Sequence, residues 1–510
     1  MDGGLTIKIS VQKIDMTDST AYKNIFKTTF LFGFVQVLNI IVKVGINKVV
    51  ALLLGAEGLG IISLFQISVN MVKTGAGLGI NQSAVRDISE AYGSGNIQIC
   101  SETISFVKRI IWFTCGLGLM VMIILSPVLS NYSFGNSDYT FAYIMLSVAV
   151  AAIILNDGLK AILTGTRKLR SLAKASMIGA FVGFFVALPF YFIWGTIGIV
   201  PSLIFSAIAT LGISYFYVRK VDYIPLHMSI KEVFIRSSSM IRMGISLMLM
   251  SFMLEVTNLI VSSYISNNGG LNVLGYYQSG ITIIAGYFGI IITAMSTDFY
   301  PRISAINKDN QKLNDAVNSQ AEVGLLLALP LVVLFMFLSP FFLTFLYTED
   351  FVVASQYIDY AILGTIVIIA SNSMGMILLA KQKSKLFLIS SVIINLIILP
   401  VYILLYRYDE LRGLGIGYFF SGFIQLIANN YIMKTRFSIS FSKSVLTKIV
   451  LVLCFSILSK YAREIDVVWM RYSTGGMLFV TSSCYLLYYM NKQMHINILM
   501  LLNNGFKKYL

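Results

Sequence analysis

Residues 36–81, QVLNIIVKVGINKVVALLLGAEGLGIISLFQISVNMVKTGAGLGIN, decide the fold. Two apolar runs flank Gly55–Gly58, and each approaches the ~20 residues that cross a bilayer as a helix. So short a connection leaves room only for a tight reversal. The first run places Gln36, Asn39, Lys43 and Asn47 at helical spacing, and the second repeats the pattern with Gln66, Asn70, Lys73, Gly77 and Asn81. At helical periodicity each set occupies one narrow face. An ionisable group at bilayer depth costs about 2.5–3.5 kcal/mol, so such groups face a helix-bundle interior or a wet cavity. Lys43 and Lys73 both fall near mid-depth. Two ammonium groups cannot pair with each other, so they call for an anion or a carboxylate. The bland alternative has the amides joining helices by hydrogen bonds, with the lysines neutralised by Asp157 or Glu255. Lys48 lies off the first stripe and nearer the outer surface, where snorkelling competes with a cavity role.

Outward from this stretch the same run recurs to the end of the chain. The 510 residues have a mean hydropathy of +0.80, with 57% hydrophobic and only 12% charged residues. A soluble domain carries about 25% charge, so this composition excludes a soluble multidomain enzyme and disorder alike. Fourteen spans are predicted: 28–54, 59–84, 110–130, 140–164, 175–194, 198–218, 239–265, 274–299, 323–346, 357–380, 386–406, 413–433, 449–459 with its flanks, and 473–490. The thirteenth is the weakest, with Lys460 and Arg463 crowding its outer end.

The net charge of +15 would suggest nucleic-acid binding in a soluble protein. Here it reflects topology. Of the 38 Lys and Arg residues, Lys43, Lys48, Lys73, Lys160 and Arg242 fall within spans, and one side of the membrane holds only Arg407, Arg412, Lys460, Arg463 and Arg471. All others lie on the side shared by both termini, which the positive-inside rule makes cytoplasmic. The predicted division is a cytoplasmic segment 1–27, an N-lobe 28–218, a linker 219–238, a C-lobe 239–433, two further spans within 445–490, and a cytoplasmic tail 491–510. No outer loop is long enough for an extramembrane catalytic domain. The polar N-terminus shows no cleavable signal pattern.

The halves resemble each other at an offset of about 215 residues. Leu59-Gly60 matches Leu274-Gly275, Ile88-Ser89 matches Ile303-Ser304, and Ile162-Leu163 matches Ile377-Leu378, each of the last pair preceding a short basic turn. Six-span repeats run the same way through the membrane, are related by an axis along its normal, and place a substrate site at their interface. The last two spans have no counterpart and read as an appendage.

Other polar positions extend the candidate list. Asn156, Asp157 and Lys160 share one span, where Asp157 and Lys160 can pair at i, i+3. Ser251, Glu255, Asn258 and Ser262 line one face of the seventh span. Glu255 and Asp157 are candidates for H⁺ or Na⁺ coupling, a salt bridge to a first-half lysine being the alternative for Glu255. Arg242 is read as either a snorkelling anchor or a phosphate ligand, and Asp298 with Arg302 as a solvated pair. Glycines 75, 77 and 79 weaken the inner end of the second span. Cys100, Cys115, Cys454 and Cys484 lack metal or redox spacing, and His227 and His495 fall in polar segments, so no metal or cofactor is expected. Gly75–Gly79 lacks the Gly-Lys-Ser/Thr ending of a nucleotide-binding loop.

The chain resembles the polysaccharide transporter branch of the multidrug/oligosaccharidyl-lipid/polysaccharide (MOP) flippase superfamily, in particular Wzx-type O-antigen translocases. The resemblance rests on Gly55-Ala-Glu-Gly-Leu-Gly60, Gln66, Gly75, Gly77, Gly79, the Arg86-Asp87-Ile88 exit and the repeated basic turns, and covers roughly 28–433. It implies an all-α membrane protein of two six-helix lobes, MATE-like, working by alternating access in the bacterial inner membrane. It implies as cargo an undecaprenyl-diphosphate-linked oligosaccharide, moved from the cytoplasmic to the periplasmic leaflet, with polysaccharide polymerase machinery as a candidate partner. A cationic central cavity for the anionic head group matches Lys43 and Lys73. The last two spans depart from the twelve-span plan, being peripheral or lining a groove for the lipid tail. Three rivals stay open: a MATE-type cation or drug antiporter, a lipid II-type flippase, and a membrane polysaccharide polymerase.

Overall fold

The computed structural model describes residues 19–226 and 230–492, and among these every regular element is helical. The helices are α1 (Ser19–Ala76), α2 (Ile80–Gly93), α3 (Ile97–Phe134), α4 (Thr140–Gly165), α5 (Leu169–Trp194), α6 (Ile199–Val218), α7 (Ile230–Ile283), α8 (Gly289–Ala305), α9 (Asn310–Leu346), α10 (Ser355–Ala380), α11 (Ser384–Phe437), α12 (Lys443–Arg463) and α13 (Val468–Lys492). Eight helical stretches among the described residues are long and apolar enough to cross a membrane, and two of them, Leu169–Val218 and Lys385–Phe437, are more than twice the length one pass needs.

The longest helices are hairpins in disguise. Helix α1 breaks at Gly55 (φ 64°), α7 at Gly270 (φ 85°), and α11 at Asp409 and Glu410 (φ 37° at Glu410). These breaks stand where the sequence puts very short outer connections. A reversal of so few residues needs a left-handed backbone, which glycine adopts without steric cost. Cross-contacts establish the reversals in α7 and α11: Gln278 donates to Ser262 Oγ at 3.2 Å across the Gly270 turn, and Gly417 packs on Tyr402 across the Glu410 turn. Helices α5 and α6 pair likewise, with Ser206 Oγ donating to the Gly183 carbonyl at 2.9 Å.

The chain divides into two compact units, one of residues 1–54 and 64–259, the other of 55–63 and 260–510. In the first, Ile88, Ile104, Ile162, Leu163 and Val218 form a core shared by α2, α3, α4 and α6. Lipid is as apolar as these side chains, so close approach and polar pairing hold the helices together. Gly158 and Gly165 admit Ile111 and Ile88 against the α4 backbone, and Ser214 Oγ donates to Asn156 Oδ1 at 2.6 Å between α6 and α4. Asn156 is therefore a packing amide. The segment after α6 is sewn to α3, as Ser101 and Ser105 accept the Ile224 and Leu226 backbone N–H groups.

In the second unit, Phe299, Ile303, Val317, Met374, Ile377 and Met433 join α8, α9, α10 and α11. Asp309 caps α9, and the Lys312 backbone N–H on its carboxylate holds that carboxyl below the usual aspartate range. Helices α12 and α13, which the sequence reads as an appendage, pack on α9 through buried charge. Arg463 bonds both carboxylate oxygens of Asp359 on α10 (2.7 and 3.0 Å), and also Ser339 Oγ and the Met336 carbonyl on α9. Lys448 meets Glu322 on α9 at 3.2 Å, while Tyr489 on α13 accepts from Lys448 at 2.6 Å and donates to Glu322 at 3.0 Å. Both cations, read from sequence as loop charges, are structural. Arg302 donates to Gln320 at 2.8 Å; the Asp298 side chain lies outside the described ones.

Candidate anion-binding cavity

The glycine run that weakens the second span interrupts the helix. Helix α1 stops at Ala76 and α2 begins at Ile80, with left-handed backbone at Leu78 (φ 50°) and Gly79 (φ 62°) between them. The break lets two backbones meet: a Cβ on Gly79 would collide with the Gly244 carbonyl on α7, and one on Gly244 with the Leu78 carbonyl. This contact seats the first half of α7 in the first unit.

A cavity of about 270 Å³ opens beside that contact. Lys73, Gly77, Gly79 and the first turn of α2 form one wall, Ile111 and Thr114 of α3 a second, Asp157 and Gly158 of α4 a third, and Met248, Ser251 and Glu255 of α7 the fourth. Lys73 Nζ stands 3.5 Å from Asp157 Oδ2, with 28% and 30% of the two side chains exposed. Glu255 lies within electrostatic range of Lys73, and Lys160 within range of both Asp157 and Lys73. At the start of α2 the Ile80, Gln82 and Ser83 N–H groups reach the Gly77 and Gly79 carbonyls and Asn81 Oδ1 also accepts the Gln82 N–H at 2.9 Å, so this end offers the partial positive charge of a helix start rather than open donors. The walls thus combine an ammonium, a helix start, amides from Asn81 and Gln82, and two carboxylates.

Of the residues singled out in the sequence, the cavity gathers Lys73, Gly77, Asn81, Asp157, Ser251 and Glu255. Lys43 is exposed on α1 and is not in its lining, so the expected pair of lysines is a single ammonium here. Gln66 is exposed and Asn70 half-buried, also outside the lining, and half-buried Lys48 has a partner of its own. The side chains of Gln36, Asn39 and Arg242 lie outside the described ones. Ser262 is buried and bonded to Gln278, which gives it a packing role. Sequence reasoning missed the contribution of Thr114 and Met248, which carry no signal beyond their helices. Among the described residues no group of His, Cys, Asp and Glu is arranged to hold a metal ion.

The model of the polysaccharide biosynthesis protein family matches residues 49–356, more than half of the chain. The chain belongs to that family. No curated protein sequence matches it. Among solved structures, the lipid II flippase MurJ in an inward closed conformation is similar over 91% of this chain and 99% of its own, with a TM-score of 0.69 at 14% identity. An inward-facing multidrug resistance MATE family transporter of the MOP superfamily is similar over 79% of this chain and 94% of its own (TM-score 0.66, 16% identity). A MOP superfamily transporter from Pyrococcus furiosus, described as having a binding pocket of reverse polarity, is similar over 84% and 95% (TM-score 0.57, 13% identity). At such identities the likeness shows the fold. This member of the family is a multi-pass membrane protein, helical in every regular element among its described residues, with the fold of those transporters, as the sequence resemblance implied.

Proposed function

We propose that this protein flips a saccharide linked to undecaprenyl diphosphate from the cytoplasmic to the periplasmic leaflet of a bacterial inner membrane. The carrying observation is Lys73, an ammonium held in a polar cavity of a chain that belongs to the polysaccharide biosynthesis family. A diphosphate cannot enter hydrocarbon unaided, because transfer of bare charge is far too costly. A wet chamber with a fixed cation and a helix start offsets that cost, while the polyprenyl tail stays in lipid. The Lys73–Asp157 pair is 3.5 Å apart and partly solvated, so it contributes about 0–1 kcal/mol and yields readily to a diphosphate.

The two carboxylates give the cavity its coupling. Each can take up H⁺ or Na⁺. An inward ion gradient drives cargo outward when ion and cargo occupy the cavity in turn, so that entry of one releases the other. The same reading keeps fourteen spans, both termini cytoplasmic, two rocking six-helix lobes (28–218 and 239–433), Lys43, Lys48, Gln36, Asn39, Gln66 and Asn70 along the cargo's path, and Arg242 as a phosphate ligand where it enters.

The test is charge reversal. Cells carrying Lys73→Glu as their only copy should lose surface polysaccharide at matched protein level and accumulate unflipped lipid-linked units; full export would reject the site. Equal flipping in proteoliposomes with and without H⁺ and Na⁺ gradients would reject the coupling. A second reading, cation antiport, is favoured by Asp157 and Glu255 facing one cavity. Purified protein that binds cationic dyes and ignores lipid diphosphates would establish it.

A further inference from the structure

On the far side of α3 and α4 lies a second hollow of about 350 Å³, between α3, α4 and α6. Its walls are apolar, including Trp112, Leu159 and Ile208, and Gly212 forms its floor, where a Cβ would meet nothing within 4 Å. Trp112 is 66% exposed, so this surface faces the membrane. One end differs. Lys108 lines it beside Tyr215, Lys108 Nζ also reaches the Tyr223 hydroxyl, and the Arg219 guanidinium lies over the Tyr215 ring at 5.8 Å. From Tyr215 to Ile208 the groove follows α6 for about 10 Å, within the ~15 Å depth of one leaflet's hydrocarbon. An apolar channel that begins at a lysine and runs inward has the shape and polarity of a single phospholipid. Basic hollows between membrane helices attract anionic head groups, and the cytoplasmic leaflet carries them.

We propose that this groove binds one anionic phospholipid, its phosphate on Lys108 and an acyl chain along Trp112, Leu159 and Ile208. The site is distinct from the cargo cavity but shares a wall with it. Ile111 lines both, packed against Gly158. A seated acyl chain braces that wall from the lipid side, so occupancy bears on cavity shape.

The position of Trp112 supplies the readout. With Trp194→Phe and Trp469→Phe, Trp112 becomes the sole tryptophan of the chain, which has three. The protein is placed in nanodiscs containing phosphatidylglycerol or phosphatidylcholine with brominated chains. Half-maximal quenching should need about fivefold less phosphatidylglycerol than phosphatidylcholine, the factor for one basic contact at a membrane surface. Lys108→Gln should abolish the preference. Gly212→Leu, whose Cβ meets open space, places bulk in the floor and should remove the saturable component. Equal quenching by the two lipids, or a preference surviving both substitutions, overturns the proposal. Because nanodisc leaflets are alike and no transport is scored, neither orientation nor cargo affects the result.

Discussion

Both units hide charge within the protein, and they do so in opposite ways. In the second, Arg463 and Asp359 meet in a two-pronged bond with side chains 16% and 7% exposed, and Lys448 and Glu322 meet at 5% and 14%. Ser339, the Met336 carbonyl, Ser444 and Tyr489 fill the remaining bonding directions. In the first unit, Lys73 and Asp157 stand farther apart, with side chains 28% and 30% exposed and open volume beside them. The saturated clusters fasten helices. The unsaturated one keeps bonding capacity in reserve, which is what a site for a charged visitor requires.

Substitution can break this contrast. Arg463→Ala strands the Asp359 carboxylate and should cost about 3–5 kcal/mol, seen as a large fall in thermal midpoint and folded yield in detergent. Replacing both partners, Arg463→Met with Asp359→Leu, should recover most of the loss; no recovery would mean the pair is not acting as a fastening. Lys448→Met should cost somewhat less, about 2–3 kcal/mol, because Tyr489 still donates to Glu322. Lys73→Gln should change stability by under about 1 kcal/mol and yet weaken lipid-diphosphate binding and transport. A midpoint shift matching that of Arg463→Ala would erase the distinction between the units. Lys43→Gln, at an exposed position, should alter stability least, within about 0.5 kcal/mol, in the same melting assay.

How far the residues foretold this depends on how local each feature is. Helix class follows from hydropathy, a property of every window of the chain. Gly55 and Gly270 mark reversals because glycine suits a left-handed backbone, whereas Glu410 shows no such sign. The face of a span follows from periodicity, which is how Lys73 and Glu255 are each legible on the polar face of their own helix. Periodicity does not say which neighbour a face meets, and Lys43 shows the difference. The fastenings of α12 escape sequence reasoning for another reason: Arg463 and Asp359 are 104 residues apart, and each cation sits near a helix end, where loop charges are common. The available signal was acidic. Asp359 falls inside an apolar span and Glu322 borders one, and a carboxylate there needs a cation.

The meeting of Leu78 and Gly79 with Gly244 bears on motion. Main chain rests on main chain, with no rotamer to adjust and no soft side chain to absorb displacement. Met248, Ser251 and Glu255 follow Gly244 along the same helix, like points on a lever beyond its bearing. A slight tilt at that bearing swings the whole α7 wall toward or away from Lys73, so a single methyl added at Gly244 wedges the chamber while leaving every polar group in it chemically intact.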